Sequence, residues 1–150
     1  MARIKQSNYG ETPFQKLLGH NKEVMMSWSK LGDVLEKDGL LSSKLKEQVR
    51  RTLAQSNGCE YCKAKGKPDP NLFDEKTSVA VGFAEAFLKY QKGNVPDAVF
   101  QILNEYFAED EISELCAFIC FTTAQQYFGA LMKLEPNVLN RKSNKDVSVK

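Results

Sequence analysis

Two cysteines three residues apart, Cys59 and Cys62, carry the strongest chemical signal in this chain. At that spacing in a helical turn they can close a disulfide if the backbone allows it. The thiolate is the nucleophile, so a working pair needs a lowered thiol pKa. Gly58 ends one helical stretch and Cys59 opens the next, where the positive end of the helix dipole stabilises a thiolate. Residues 44–67 hold seven basic and two acidic side chains, and that local excess favours thiolate too, although screening weakens exposed lysines. Glu47 lies twelve positions before Cys59, about three helical turns upstream. If the chain reverses at Asn57-Gly58, this carboxylate meets the pair and serves in proton transfer. The other reading is a solvated helix residue among Lys44, Lys46, Arg50 and Arg51.

The remaining reactive side chains have simpler readings. Cys116 and Cys120, four apart among Leu115, Phe118, Ile119 and Phe121, read as core-packing thiols. A zinc site joining all four cysteines is the sharper alternative. His20 is the single histidine, and it reads as a residue leading into a helix, so a histidine-dependent triad finds no support. A thioredoxin fold would need a strand before Cys59, and the residues there are helical. No phosphate-cradling glycine loop is present.

The elements that must position the pair are helical. Val24, Trp28, Leu31 and Leu35 predict one inner face over 21–38, with Asn21 as N-cap and Gly39 as stop. Leu45, Val49, Thr52, Leu53 and Ser56 predict the inner face of a helix over 43–57, capped by Ser42 or Ser43 and ended by Gly58. Gly66, Pro68 and Pro70 break a short segment after Cys59. A helix follows Asp74, with Val79, Phe83, Ala86, Phe87 and Tyr90 on one side. Pro96 suits the first turn of another, carrying Val99, Ile102, Leu103 and Tyr106 or Phe107. Asp110 and Glu111 open a long helix to about Leu134, before Pro136. Met25, Met26, Trp28, Phe121, Tyr127 and Phe128 read as core or oligomer contacts. Gln125 and Gln126 are amides that need partners if buried. The fold class is all-α, with five to seven helices.

The chain has 150 residues, 42% apolar and 27% charged, the balance of an ordinary globular protein of one domain. The domain spans 1–136, and 137–150 form a basic tail. That tail carries the positive excess, since the first 136 residues sum to −1, which argues against nucleic acid as partner. Leu115–Met132 is free of charge for 18 residues but includes Thr122, Thr123, Gln125, Gln126 and Gly129, so it reads as a buried helix, not a membrane span. Residues 1–16 lack the apolar core of a signal peptide, so the expected location is cytoplasmic and structural disulfides are not expected.

The stretch from Glu47 to Cys62 resembles the signature of the carboxymuconolactone decarboxylase-like superfamily, and within it the alkyl hydroperoxidase D-like branch. That branch shows a glutamate, eleven residues, then C-x-x-C, often preceded by Asn-Gly, as here at Asn57-Gly58. Gly19-His20-Asn21-Lys22-Glu23 upstream, and Val95-Pro96-Asp97 and Phe107–Ile112 downstream, are also similar, so the likeness covers about residues 15–134. The resemblance implies an all-helical fold that assembles into homo-oligomers (trimers, dimers or hexamers) and a thiol-dependent peroxidase activity. It implies that Cys62 attacks the peroxide and becomes a sulfenic acid, that Cys59 resolves it as a disulfide, and that Glu47 belongs to a proton relay. No metal, flavin or haem is required. The implied substrate is hydrogen peroxide or a small organic hydroperoxide, some of the aromatic residues would line its pocket, and the implied reductant is a thioredoxin-like or lipoyl-bearing protein.

The chain departs from the pattern at two positions. Active members usually carry a histidine four residues after the second cysteine, where this chain has Gly66. Some carry histidine just before that cysteine, where this chain has Tyr61. Proton transfer would then fall to Glu47, water, Tyr61 or a lysine; Tyr61 and Lys65 are poor bases at pH 7 unless their pKa values are depressed, and turnover slower than in complete-relay members is expected. The alternative is a non-catalytic oligomeric redox sensor or scaffold that kept the pair and lost turnover. The lyase branch typically lacks the cysteine pair, which argues against lactone decarboxylation.

Overall fold

The computed structural model describes residues 1–136, so the basic tail expected over 137–150 lies outside the described residues. The described residues form α1 (Pro13–Leu18), α2 (Lys22–Glu36), α3 (Ser43–Ala54), α4 (Glu60–Lys63), a 3-10 turn (Pro70–Leu72), α5 (Glu75–Tyr90), α6 (Asp97–Tyr106) and α7 (Glu109–Leu131), with no strand among them. The all-α expectation is therefore met.

Most helices start where a short polar side chain satisfies an orphan backbone N–H. The Asn21 amide oxygen accepts from Val24 N–H at 3.1 Å, the Ser42 hydroxyl from Leu45 at 3.1 Å and the Asp74 carboxylate from Thr77 at 2.7 Å. At α7 the cap runs backwards: Ala108 N–H donates to the Glu111 carboxylate at 3.0 Å. Helix α1 has a capping box, with Thr12 accepting from Gln15 N–H, Gln15 accepting from Thr12 N–H, and Pro13 at the first helical position.

The bundle is organised around α3, which packs against α2, α4, α5 and α7. Val49 and Leu53 on α3, Leu103 on α6 and Leu115 on α7 are fully buried in one core. Each such side chain contributes roughly 1.5–3 kcal/mol of burial. A second, smaller cluster closes the end of the bundle: Leu17 of α1, Ala54, Cys59, Tyr61, Cys62 and Leu134. Lys46 stands apart from both. It is 1% exposed, and its ammonium donates to the Lys37 carbonyl at 2.8 Å and faces the Glu114 carboxylate at 3.4 Å. Glu114 also accepts from Leu40 and Leu41 N–H, which fastens the α2–α3 connection to α7.

Several expected faces are revised. On α2, Val24 and Leu31 are 44% and 48% exposed, and the inward line runs through Met25, Trp28, Gly32 and Leu35. Gly32 lies against α7, where an added Cβ would sit 3.3 Å from the Phe121 ring. Ser56 is exposed because α3 ends at Ala54, before Gly58. Tyr90, Ile102 and Tyr127 are exposed as well. Cys120 is exposed, while Cys116 is half-buried and packs against the core, so the core-packing expectation fails for Cys120 alone. No helix of the described residues is long and apolar enough to cross a membrane.

Candidate active site

Helix α3 delivers the chain to Asn57-Gly58, and Gly58 takes a left-handed φ of +80° that a side chain would disfavour. Cys59 then caps α4: its sulfur accepts from Cys62 N–H at 3.2 Å. The two cysteines are joined as a disulfide, with Cα atoms 5.2 Å apart. A buried amide ladder holds this corner against α7. Asn57 donates to the Gln126 amide oxygen at 2.8 Å, and Gln126 donates to the Arg50 carbonyl at 3.2 Å. Gly129 of α7 lies directly over the sulfurs, and a Cβ there would overlap Cys59 Sγ.

The two sulfurs differ in access. Cys59 is 1% exposed and backs onto Gly129, whereas Cys62, at 8%, lines a solvent-open cavity of about 170 Å³. Phe14 of α1 and Trp28 of α2 wall this cavity, with Gly32, Arg50, Tyr61, Lys65 and Gln125 completing its lining. The wall is an aromatic cluster: Trp28 lies 5.4 Å from Phe121 and 6.1 Å from Phe128, and Phe14 lies 5.2 Å from Phe128. Trp28 Nε1 donates to Gln125 at 3.4 Å, and Gln125 donates to Glu36 at 3.4 Å, which gives this half-buried amide its partners.

Glu47 sits on the other side of Arg50. Its carboxylate accepts from Arg50 Nε and Nη2 at 2.8 and 2.7 Å, and from Arg51 Nε at 3.0 Å. It opens onto a second hollow of about 200 Å³ that Lys46, Arg50 and Lys65 also line, and not onto the cavity of Cys62. Burial pushes its carboxyl pKa up, but the guanidiniums of Arg50 and Arg51 outweigh that and hold it below the usual range. Its link to the cysteines is indirect, because Arg50 Nη1 donates to the Cys62 carbonyl at 3.1 Å. Tyr61 is buried beside the cavity, and burial pushes its phenol up, so it remains protonated at neutral pH. Of the expected site residues, Cys59, Cys62 and Tyr61 converge, and Glu47 reaches them through Arg50.

Three of the seven basic residues of the expected field are spent on pairing. Lys46 faces Glu114, and Arg50 and Arg51 hold Glu47. Lys44, Lys63, Lys65 and Lys67 are engaged by no ion pair among the described residues, and of these four only Lys65 lines both hollows. Its ammonium stands 4.8 Å from the centre of the Tyr61 ring. Arg50 as a lining residue and Phe14 in the wall emerge only from the fold, whereas Lys65 and the α7 aromatics are already candidates in the sequence. The sequence cue to the wall's α1 portion is the helix start Thr12-Pro13-x-Gln15 with Phe14, Leu17 and Leu18 at helical spacing behind it.

Gly66 has φ +125°, a conformation that a histidine would adopt only under strain. Helix α4 has already stopped at Lys63, and Gln55 and Arg51 donate to the Gly66 and Lys67 carbonyls to hold the turn. His20 is exposed, with Nε2 2.6 Å from the Lys5 carbonyl oxygen. Cys116 and Cys120 do not join the site. They lie nine or more residues up α7 from Gly129, about 13 Å or more along the axis. Among the described residues no cluster of three or more His, Cys, Asp or Glu side chains is placed to hold a metal. Burial, then the neighbouring Cys120, push the Cys116 thiol pKa up. No family model matches the chain, and no curated protein matches it.

Proposed function

We propose that this protein is a thiol-dependent peroxidase of the alkyl hydroperoxidase D-like kind, reducing hydrogen peroxide or a small organic hydroperoxide through Cys62 and Cys59. The observation that carries the reading is the asymmetry of the pair: Cys62 lines a solvent-open, aromatic-walled cavity, and Cys59 is bonded to it from behind. In the reduced protein the Cys62 thiolate attacks the outer peroxide oxygen. The O–O bond breaks, an alcohol or water leaves with one proton, and Cys62 becomes a sulfenic acid. Cys59 sulfur then displaces the sulfenic oxygen as water, which forms the disulfide. Two thiols are oxidised and one peroxide reduced per cycle. A protein dithiol, thioredoxin-like or lipoyl-bearing, resets the pair in the reducing cytoplasm. Assembly into a homo-oligomer belongs to the same proposal, supported by exposed Val24, Leu31 and Val34 on α2 and Tyr127 and Leu131 on α7.

A second reading, a redox sensor without turnover, draws on Glu47 being held by two guanidiniums and on Gly66. Peroxide consumption with dithiothreitol as reductant separates the two. An enzyme consumes many equivalents per subunit and loses this with Cys62→Ser, while Cys59→Ser leaves a trappable sulfenic acid on Cys62. A sensor stops after one equivalent. A pair that reacts no faster than Cys116 and Cys120 would sink both readings.

A further inference from the structure

We propose that Lys65 is the proton-transfer residue of this site, taking the Cys62 proton and delivering it to the oxygen that leaves the peroxide. The proposal rests on the peroxidase reading above and names the group that the signature leaves unassigned.

Lys65 follows Cys62 by three residues, and its backbone N–H donates to the Cys62 carbonyl at 3.3 Å. The left-handed turn at Gly66 follows at once. Lys65 lines the same cavity as Cys62, with its ammonium over the Tyr61 ring that also faces that cavity.

Four other polar groups near the cysteine turn or expected there are committed elsewhere. Arg50 does not release a proton near neutral pH, and three of its donors are committed to Glu47 and the Cys62 carbonyl. Glu47 is held ionised on the far side of Arg50. Tyr61 stays a phenol. His20 is tied to the N-terminal arm.

The charges around Lys65 suit the task. Helix α2 presents Asp33 and Glu36 to the two hollows, and α3 presents Lys46, Glu47 and Arg50. Helices α1 and α7 line them with Thr12, Gln15, Gln125 and other groups that do not titrate. Crowding by protein, although Lys65 still reaches solvent, and the Arg50 charge hold its ammonium below the ordinary lysine value; Glu36 and Glu47 oppose this in part.

The step balances. The Lys65 amine accepts the Cys62 thiol proton, giving thiolate and ammonium. The thiolate attacks the outer peroxide oxygen, the O–O bond breaks, and the departing alkoxide takes the ammonium proton. The products are the sulfenic acid on Cys62, a neutral alcohol and the free amine.

Two variants test it, Lys65→Met and Lys65→Arg, each in a Cys59→Ser/Cys116→Ser/Cys120→Ser background and compared by circular dichroism for folding. The first readout is the pH profile of Cys62 alkylation by iodoacetamide. Loss of the amine in Lys65→Met raises the midpoint by about one pH unit, and Lys65→Arg restores it, since either cation favours thiolate. The second is stopped-flow oxidation by tert-butyl hydroperoxide. Both variants slow by about a hundredfold, because guanidinium holds its proton. A Lys65→Met protein with unchanged midpoint and rate overturns the proposal, and a Lys65→Arg protein as fast as the parent overturns its proton-delivery step. If the parent itself is inert to peroxide, the peroxidase reading and the delivery step fail together. The alkylation profile then still judges the contact: a shifted midpoint supports the Lys65 charge acting on the Cys62 thiolate, and an unshifted one overturns it.

Discussion

Gly129→Ala should change stability in opposite directions in the two redox states. The glycine lies inside α7, where Gly→Ala ordinarily stabilises a helix by about 1 kcal/mol. Here the new methyl would overlap Cys59 Sγ and sit 3.5 Å from Cys59 Cβ and 3.6 Å from Cys62 Sγ. In the oxidised protein those sulfurs are bonded to each other and cannot turn aside. Overpacking of this kind costs about 1–3 kcal/mol, so the oxidised variant comes out about 0–2 kcal/mol less stable. Reduction frees each thiol to rotate, and the variant then keeps most of the helix gain. The difference between the states equals the overpacking term. By the two-electron relation it makes the disulfide about 20–65 mV easier to reduce. Gly82→Ala is the control, because Gly82 lies inside α5 and its added Cβ meets nothing within 4 Å. It should gain about 1 kcal/mol in both states. Urea unfolding with and without dithiothreitol, together with equilibration in glutathione buffers, reads both quantities. A Gly129→Ala protein stabilised when oxidised as much as Gly82→Ala would refute the contact on which the reasoning depends.

Two further predictions concern the charges beneath the site. Glu114→Ala should cost about 3–5 kcal/mol, because it strands the buried Lys46 ammonium with the Lys37 carbonyl alone; Lys46→Met should cost clearly less, since it removes the charge that needs pairing. Equal losses in urea unfolding would count against an ionised Lys46. Glu47 has a folded-state pKa below the ordinary 4.5, so its pairing stabilises above that value and fades as pH falls through the folded pKa. Its side chain is 40% exposed, so Glu47→Gln should lose no more than about 1 kcal/mol at pH 7 and converge with the parent once pH has fallen through the folded-state pKa; a loss independent of pH would assign the effect to packing instead.

What could be read without coordinates was local. Asn21, Ser42 and Asp74 cap helices because a short side chain answers an N–H three residues on, and this needs no distant partner. Cys59 at the start of α4 is legible for the same reason. The misread features depend on what packs from elsewhere. Val24 and Leu31 keep helical spacing yet face out, because α2 meets α7 through Gly32, a residue with no side chain to register in a hydrophobic period. Lys46 is buried because Glu114, 68 residues later, waits for it. Cys120 has apolar neighbours in sequence, but the helix turns it outward.

Glu47 shows where local and distant causes meet. Its pairing with Arg50 and Arg51 is an i,i+3 and i,i+4 contact within α3, and that contact turns the carboxylate away from the cavity at which the signature would place it. The position four residues after Cys62 has a parallel history. A histidine there could share the face of Cys62 only if α4 continued, and α4 stops at Lys63. The chain reverses at Gly66 with φ +125°, held by Gln55 and Arg51. Gly66 is therefore part of an early helix stop that has no seat for histidine. The same stop leaves Lys65 on the cavity wall, its ammonium over Tyr61 and unpaired among the described residues. The absence of a histidine seat at Gly66 and the place of Lys65 on the cavity wall share one structural cause, the early stop of α4.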